Sequence, residues 1–582
     1  MSFLTEPLSR LKYGFPTLRQ VEYDIDIEPD VKDDLSVDTE DEPELKIEYR
    51  DEKDRKWWSF FDEYEYRSNK FTRKKHKWYK WYNENNSPAE RKLLFKLDIM
   101  LTLFSLMAYW VKYLDQTNLN NVYVVDEFKN TVGMKGNDLV NTQVMFNIGN
   151  IIFQIPFIYL LNVCPLNYLL PGFDIAWSIV TICLYKTTNV STLKGLRFLI
   201  GALESQAYYS YHFLFGSWFT ADELSRRAMI FYFGQYLGVL TSGLLSGAIV
   251  RNLDNVGGLQ SWQWIFIIDG LISLAVGLIG IFSIPGTPTN CYSIFLTDEE
   301  IKLARRRLQK NNVSSKHKYD FKDIIDLKLW KDILSTWEIY VLSFWNIFLW
   351  NNSNASSGSY ILWLKSLTST DKNGVTTPRY SGGTLQDRSA LTPGLGLIWL
   401  FVTCTFADSF HSRWGAILGS QIFNITGNAI LAVWDVNEST KWFAWCLQYF
   451  GWACAPVVYS WQGDICRRDQ RKRSIVLIII NAIAQSTTAF MAVIVWKTVD
   501  APTYFKGFTF TACSAATLIL WTFGVLYLYK RNEKSKAIEN GIYLYNSSNA
   551  DDIPEAVKSR DTVNEKEDEA IQSNELSSTS SN

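Results

Sequence analysis

The sequence predicts an all-α integral membrane protein with twelve transmembrane helices in two six-helix lobes. Two observations carry this prediction. Residues 97–285 and 337–529 consist of long apolar stretches joined by short loops, whereas 1–95 and 530–582 are polar. Stretches of roughly 17–25 apolar residues match the hydrocarbon core of a bilayer. We therefore expect the chain to be embedded in a lipid bilayer.

Composition excludes several other classes of protein. The net charge of −2 gives no general attraction to nucleic acid, so we expect no nucleic-acid partner. The eight cysteines are scattered without a CxxC pair or a Cys/His spacing typical of metal sites, and no GxxxxGK[ST] loop for ATP is present. No catalytic constellation appears either. We expect a monomer that is not an enzyme and binds no cofactor or metal.

Twelve helical spans can be placed along the chain. They run near residues 97–119, 139–161, 168–185, 194–215, 228–250, 264–285, 337–364, 389–407, 414–434, 441–461, 474–496 and 508–529. A charged stretch separates the first six spans from the last six, which suggests a duplicated bundle. We therefore expect a partly disordered cytoplasmic N-terminal tail (1–95), an N-terminal lobe (96–285), a cytoplasmic central loop (286–336), a C-terminal lobe (337–529) and a disordered cytoplasmic tail (530–582).

Basic residues predict the orientation of the spans. They follow span 4, occur in the central stretch, join spans 10 and 11, and follow span 12, as Arg226, Arg305, Arg467 and Lys530 illustrate. Because basic loops stay in the cytoplasm, both termini are expected there. The loop 366–388 would then be external, and the sequence assigns it no role.

The N-terminal tail divides into two parts. Residues 22–54 are acidic and are expected to be disordered. Residues 55–82 alternate aromatic and basic side chains, which is typical of a segment that rests on the anionic cytoplasmic leaflet. An ordinary packed juxtamembrane helix would have the same composition, and this alternative stays open.

Ionisable residues inside the spans are the first candidates for function, because burying them in a membrane is costly. Span 1 holds Lys112, Asp115 and Gln116 within two helical turns, so they share one face. The alternative is an ion pair that only tethers the span. Span 6 carries Asp269, which needs a partner or a cavity.

Span 4 places five residues at spacings of three and four, which predicts one stripe of Arg197, Gly201, Glu204, Tyr208 and Tyr211. A carboxylate at mid-membrane with tyrosine hydroxyls one and two turns away is a plausible proton-binding site. A buried structural pair between the arginine and the glutamate is the alternative interpretation.

Span 7 gathers aromatic and amide side chains that suggest a wet, aromatic-lined face. The cluster comprises Trp345, Asn346, Trp350, Asn351, Asn352, Asn354 and Tyr360, and Trp452, Tyr459 and Trp461 of span 10 would complete the lining. A packed polar interface would have the same composition.

In span 5, glycines recur at intervals of four to five residues, which predicts close crossings with neighbouring helices. They are Gly234, Gly238, Gly243 and Gly247.

Several motifs together resemble the fungal allantoate permease (anion:cation symporter) family of the major facilitator superfamily, over residues 90–535. The matching stretches are LDQTN at 114–118, RFLIGALES at 197–205, SWQWIFIIDG at 261–270, IPGTP at 284–288, FLTDEEIKLARRR at 295–307 and YKRNEK at 529–534. The resemblance implies a two-lobe transporter of the major facilitator fold, working by alternating access. Within the family, it points to a plasma-membrane symporter for a sulfur-containing amino acid derivative or, next, a vitamin carboxylate.

The resemblance also implies roles for individual residues. Related carboxylate symporters couple protons through the acids of spans 1 and 4, which correspond here to Asp115 and Glu204. They bind the substrate carboxylate with an arginine in each span, but this chain has Gln116 in place of the first and Arg197 as the second. Lys112, one turn before the glutamine, would supply the missing cation.

The full set of expected substrate-binding residues is Lys112, Gln116, Arg197, Tyr208, Asn346 and Trp350. The expected function is proton-coupled import of a small organic anion or zwitterion. Two alternatives stay open: a proton-antiporting exporter, although span 5 lacks the Gly-Pro dipeptide typical of those, and a nutrient sensor that does not transport, although the 53 residues after 529 offer no long signalling domain.

Overall fold

The computed structural model describes residues 7, 9–22, 47–53, 55–67, 81–82, 86–310, 327–370, 375–467, 470–549 and 554. Most of the acidic segment 22–54, part of the aromatic and basic segment 55–82, the middle of the central loop and nearly all residues after 549 lie outside these ranges. The chain divides into two compact units, one formed by 1–26 with 81–522 and the other by 27–80 with 523–582.

The N-terminal lobe is built from nine helices. They are α1 (Pro88–Leu97), α2 (Phe104–Tyr123), α3 (Asp126–Val132), α4 (Asp138–Val163), α5 (Leu166–Cys183), α6 (Val190–Glu204), α7 (Ala207–Trp218), α8 (Ala221–Asn252) and α9 (Ser261–Ser283). A π-helical turn at Asp98–Leu103 joins α1 to α2, so the two form one continuous first span. The side of the bundle at which α1 begins is called the α1 side below.

The rest of the chain is also helical. The described helices are α10 (Asp298–Lys310) and α11 (Leu327–Ser335) of the central stretch, and then α12 (Trp337–Asn351), α13 (Ser359–Ser366), α14 (Gly382–Ser389), α15 (Leu391–Phe410), α16 (Arg413–Val433), α17 (Glu438–Cys446), α18 (Phe450–Ala453), α19 (Ala455–Ile465), α20 (Gln470–Val495) and α21 (Phe505–Ser535). Eight helical stretches among the described residues are long and apolar enough to cross a membrane.

Of the four predicted spans outside those eight, span 2 is the continuous helix α4. Spans 4, 7 and 10 are each interrupted: α6 ends at Glu204, α12 and α13 are separated by a polar loop that ends at Gly358 with a φ of +72°, and Pro456 opens α19. Interrupted helices leave backbone groups without helical partners, and in membranes such breaks occur where protein or a cavity covers them.

The two lobes meet along two seams, α4 against α20 and α8 against α14 and α15. Glycines make the second seam close, because a Cβ on Gly243 would lie 2.7 Å from Ser389 Oγ. The same helix packs α2 on its other face, where a Cβ on Gly238 would lie 2.5 Å from the Trp110 carbonyl oxygen. The close crossings predicted from the glycine spacing in span 5 are therefore present.

Six short strands complete the described structure. They are β1 (Leu11–Lys12), β2 (Phe15–Pro16), β3 (Glu48–Asp51), β4 (Thr368–Thr370), β5 (Thr376–Pro378) and β6 (Ile542–Tyr545). β1 pairs with β2, and β4 pairs with β5 inside the loop 366–388. β3 pairs with β6 in parallel, so that segments near the two ends of the chain form one sheet.

The predicted disorder of the tail 530–582 is wrong for its first part. Helix α21 continues to Ser535, and β6 follows it. The physical reason is a partner distant in sequence: β6 hydrogen-bonds to β3, and Lys534 Nζ pairs with Glu52 at 2.6 Å. A composition rule cannot detect that partner. The N-terminal tail is likewise partly ordered, since Arg305 Nη1 donates to the Val21 carbonyl oxygen at 3.1 Å.

The glycine crossing between α2 and α8 gives a first testable prediction. Gly238→Val would push a branched side chain into the Trp110 carbonyl, and overpacking of this kind costs about 1–3 kcal/mol. The control is Gly419→Val in α16, where a Cβ has no neighbour within 4 Å. We expect a lower melting temperature in detergent for the first variant alone, and equal melting temperatures would contradict the close crossing.

Candidate functional site

A cavity of about 130 Å³ lies between the two lobes. This volume has room for roughly four water molecules at liquid density. The cavity lies towards the side opposite the α1 side, because its lining residues come from the parts of α2, α4, α12 and α20 that lie nearest that side. Its polar lining includes Gln116, Gln143, Asn147, Arg197, Asn351 and Ser357, with Trp350, Trp496 and Phe510 as aromatic walls. Arg197 is the one charged residue among the described residues of this lining.

Arg197 reaches the cavity from α6 and is anchored from behind by Asp115 of α2. Its Nη1 lies 3.3 Å from Asp115 Oδ2, and both side chains are buried, at 2% and 0% exposure. The Nε and Nη2 atoms of Arg197 are buried and have no hydrogen-bond partner among the described residues. A guanidinium with two unpaired donors beside a cavity is suited to bind an anion through paired hydrogen bonds.

Glu204 is the last residue of α6 and contacts both predicted polar residues of span 1. Gln116 Nε2 donates to Glu204 Oε2 at 3.3 Å, and Lys112 Nζ donates to the Glu204 main-chain oxygen at 3.2 Å. A lysine at that oxygen satisfies one of the free carbonyls at a helix C-terminus. Of these residues, Gln116 lines the cavity and Lys112 does not. Glu204 Oε1 has no partner among the described residues.

Two further carboxyls are buried in the same lobe. Asn118 Nδ2 donates to Asp269 Oδ2. The partner that we expected for this buried acid is therefore an amide side chain. Asp174 of α5 accepts from Gln206 Nε2 at 2.8 Å and from Trp177 Nε1 at 3.2 Å. Sequence analysis missed Asp174, although an acid in the middle of the apolar span 3 was a usable signal.

Within the described residues of the two lobes, 96–285 and 337–522, the buried charged side chains lie in the N-terminal lobe. Lys112 and Arg197 are accompanied there by four acids, all no more than 8% exposed: Asp115, Asp174, Glu204 and Asp269. The third buried cation of that lobe, Arg227, pairs with Asp98 on the α1 side. The buried polar residues that the structure describes between 337 and 522 are amides and hydroxyls without a formal charge. The cavity therefore has a charged wall on one side and a neutral, aromatic wall on the other.

The neutral wall is organised around Asn481 of α20. Its Oδ1 accepts from Trp350 Nε1 at 2.9 Å, from the Tyr459 hydroxyl at 3.1 Å and from Asn346 Nδ2 at 3.3 Å. Trp350 lines the cavity, whereas Asn346 lies behind it. Sequence analysis did not single out Asn481; the asparagine inside the apolar span 11 was the available signal.

An aromatic layer lies on the α1 side of the cavity and joins the lobes. The Tyr232 hydroxyl donates to the Tyr208 oxygen at 3.2 Å. The Tyr459 ring lies 5.4 Å from that of Tyr208 and stacks on that of Tyr232 at 6.3 Å. On the opposite side, Lys365 Nζ of the second lobe contacts Asp126 Oδ1 of the first at 2.7 Å. Contacts between the lobes therefore lie on both sides of the cavity.

Of the five residues in the predicted stripe on span 4, Arg197 lines the cavity. Tyr208, about one helical turn after Glu204, lies in the aromatic layer and does not line the cavity. Gly201 faces α4, where its Cβ position would collide with the backbone of Phe146. Ser205 and Gln206, which link α6 to α7, keep right-handed helical backbone angles, so Tyr208 lies at a different depth along the span from Arg197.

The polar cluster on span 7 divides between its two interpretations. Trp350 and Asn351 face the cavity. Asn352 and Asn354 bond to Gln421 and Asn428 of α16, at 3.2 and 3.0 Å, as in a packed polar interface. Trp345 is buried against Trp461, and Tyr360 packs on Trp363 and Trp445, so these aromatics are structural.

Comparisons with known proteins agree with this architecture. The profile of the Major Facilitator Superfamily matches residues 105–493. The chain is 39% identical over 514 residues to the "Vitamin H transporter" of Saccharomyces cerevisiae, covering 88% of this chain and 85% of that protein. It is 27% identical over 425 residues to "Pantothenate transporter liz1" of Schizosaccharomyces pombe, covering 72% and 78%.

Solved structures show the same fold at low identity. The partially occluded, inward-open xylose transporter XylE from E. coli has a TM-score of 0.52 and 12% identity, covering 73% of this chain and 98% of that chain. A POT family transporter in complex with a thioalcohol-conjugated peptide has a TM-score of 0.52 and 13% identity, covering 76% and 96%. These likenesses concern the fold alone.

The buried pair of Arg197 and Asp115 gives a second prediction. Removing one partner of a buried ion pair leaves an uncompensated charge and costs about 3–5 kcal/mol. Arg197→Gln should therefore lower the melting temperature strongly, and adding Asp115→Asn to it should restore part of the loss. Arg379→Gln is the control, because its pair with Glu438 is 37% and 41% exposed and is worth about 0–1 kcal/mol. Additive losses in the double variant would contradict a coupled pair.

Proposed function

The chain belongs to the major facilitator superfamily, and from that premise we propose that it is a proton-coupled importer of a small organic anion. It is a multi-pass membrane transporter and not an enzyme, because its family and its relatives are transporters. The observation that carries the proposal is Arg197, a buried guanidinium that lines the cavity with two donors unpaired. That arrangement supports an anionic substrate.

The substrate class that these features favour is a vitamin-type carboxylate. Two relatives are named for vitamin H and pantothenate, and the second name is that of a carboxylate. The carboxylate would take the free donors of Arg197, and its remaining groups would meet Gln116 and the indole of Trp350. A sulfur-containing amino acid derivative is the second class, as implied by the motifs shared with the allantoate permease family, in which we place the chain.

Coupling to protons is supported by the charge balance of the N-terminal lobe. Two cations and four carboxyls are buried together, so full ionisation would leave uncompensated negative charge in a low-dielectric region, which is costly. A substrate carboxylate that takes Arg197 also weakens the hold of that arginine on Asp115. A proton bound by Asp115 or by Glu204 then offsets the added charge, and its release would accompany release of the substrate.

Lys112 and Asn346 have indirect roles in this proposal. Lys112 holds the end of α6 and balances the charge of Glu204, while Gln116 stands between that pair and the cavity. Asn346 supports Asn481, which orients Trp350. Tyr208 belongs to the aromatic layer, which we propose opens on the α1 side when the substrate is released. The proposed location is the plasma membrane, with both termini in the cytoplasm.

Uptake by a transport-deficient fungal strain expressing the chain tests the function directly. The panel of labelled substrates should include vitamin H, pantothenate, a sulfonate and an uncharged sugar, with an empty vector as control. We expect uptake of one of the carboxylates, faster at acidic external pH and abolished by a protonophore. Uptake of the sugar alone, or acid-independent uptake of the carboxylate, would contradict the proposal.

The role of Arg197 predicts a change in apparent affinity. Losing a charged hydrogen bond costs about 1.5–3 kcal/mol, which is roughly a ten- to hundredfold rise in KM. We expect that rise for Arg197→Gln and a smaller one for Arg197→Lys, which keeps the charge but loses the planar fork. Arg251→Gln, in an exposed pair with Asp387, is the control. A KM equal to that of the control would remove Arg197 from the substrate site.

The role of Glu204 predicts a loss of coupling without a loss of binding. Glu204→Gln keeps the size of the side chain and removes its ability to exchange a proton. In proteoliposomes, we expect the variant to lose accumulation driven by an inward proton gradient and to keep counterflow exchange. Glu438→Gln, at an exposed glutamate, is the control. Gradient-driven accumulation by Glu204→Gln would assign coupling to another carboxyl.

A further inference from the structure

A short aromatic segment near the chain's N-terminus has no function in the transport site. Residues Trp57–Phe61 form a 3-10 helix with the sequence WWSFF, none of whose side chains is buried. Trp57 is 75% exposed and Trp58 is 53% exposed. Two adjacent exposed tryptophans are costly in water, because large apolar surfaces on soluble parts of proteins are normally covered.

The segment lies along the C-terminal half of α21, within one compact unit. The Phe61 ring packs edge-on against that of Phe523, with the ring centroids 6.4 Å apart. At the other end, Lys530 Nζ donates to the main-chain oxygens of Ser59 and Phe60. Phe523 and Lys530 are seven residues apart, about 10 Å along a helix. The 3-10 helix therefore follows the last two turns before the charged end of α21.

That stretch of α21 contains its own boundary between apolar and charged sequence. Residues 508–529 are predominantly apolar, and Lys530-Arg531-Asn532-Glu533-Lys534 follows at once. Leu520 and Tyr527 are exposed at 72% and 56%, as expected for side chains in contact with lipid. Such a transition marks where a spanning helix leaves the hydrocarbon, and this is the depth at which tryptophan is enriched in membrane proteins.

We propose that Trp57 and Trp58 insert into the headgroup region of the leaflet at the charged end of α21 and anchor the N-terminal tail to the membrane. The indole ring suits this depth, since its apolar body and its N–H donor can be satisfied together there. The anchor is continuous with a membrane-spanning helix through the Phe61–Phe523 contact. The occupant of the exposed aromatic face is therefore lipid.

The charges of the described residues in this unit nearly cancel, which indicates that the segment enters the membrane through its aromatic side chains. The described residues 47–53, 55–67 and 523–549 hold nine basic and eight acidic side chains. Several of the bases are already paired within the unit, such as Arg55 with Glu65 at 2.8 Å. This near balance gives the described residues little electrostatic attraction to anionic lipid, whereas residues 68–80 add six basic side chains to the sequence of the unit. The anchor should therefore form on zwitterionic bilayers as well.

The segment is also held firmly enough to act as an anchor. The parallel pairing of β3 with β6 fixes the chain just before it, and the Arg55–Glu65 pair closes the loop around it. Inserting the two tryptophans therefore orders no further backbone. The cost in conformational entropy that opposes insertion of a free peptide is already met by folding.

The test is the depth of a spin label in nanodiscs that contain the full chain. Single cysteines replace Trp57, Trp58 and, as the matched aqueous control, the exposed Ser548 of the same unit, in a background whose native cysteines are replaced by alanine or serine. Collision rates with oxygen and with a water-soluble nickel chelate are compared in zwitterionic and in anionic bilayers. Melting temperature shows that each variant is folded.

We expect labels at residues 57 and 58 to collide more with oxygen and less with nickel than the label at 548, in both kinds of bilayer. Nickel accessibility equal to that at 548 would place the segment in water and overturn the proposal. Low accessibility to both reagents would show burial by protein, and lipid contact in the anionic bilayer alone would show charge-driven binding; either result also overturns it. If Trp58→Cys fails to fold, the label at Trp57→Cys reports the depth of the same segment.

Discussion

Charge buried in a low-dielectric bilayer has to be compensated, and the organisation of the N-terminal lobe depends on that constraint. Arg197 is fixed by Asp115 from one side, while its Nε and Nη2 atoms are buried without a hydrogen-bond partner among the described residues. Glu204 is approached by Lys112 at its main chain and by Gln116 at its carboxylate. Glu204 Oε1 likewise has no hydrogen-bond partner in the part of the chain that the structure describes. An anion or a proton can therefore alter the balance of the cluster at a small structural cost.

The two lobes contribute different side chains around the cavity, charged ones from the N-terminal lobe and neutral, aromatic ones from the C-terminal lobe. The C-terminal lobe contributes an aromatic wall whose position depends on one acceptor, Asn481 Oδ1, shared by the donors of Trp350 and Tyr459. Tyr459 also belongs to the layer that contacts Tyr208 and Tyr232 of the first lobe. The aromatic wall of the cavity and the contacts between the lobes on the α1 side therefore share Tyr459. A displacement at the cavity thus has a direct route to the contacts between the lobes.

The sequence predicts the all-helical membrane fold well, because apolar runs of spanning length follow from local rules. The ion pair between Arg197 and Asp115 joins two spans, and spacing within one span does not predict it. Tyr208 lies in the aromatic layer and does not line the cavity, because it is about one turn closer to the α1 side than Glu204, and spacing on one helix does not say at which depth a cavity lies. The ordered residues 530–549 were also missed, since their order depends on a strand nearly 500 residues earlier, and composition carries no information about such a partner.

The central claim is that the buried carboxyls of the N-terminal lobe exchange a proton when an anion binds at Arg197. Isothermal calorimetry of substrate binding, repeated in buffers with different ionisation enthalpies, measures that exchange directly in the purified protein. We expect the observed enthalpy to change linearly with the ionisation enthalpy of the buffer, with a non-zero slope that reports proton transfer. A binding enthalpy independent of the buffer would show that the substrate binds without any proton movement, so that the buried carboxyls do not exchange a proton on binding.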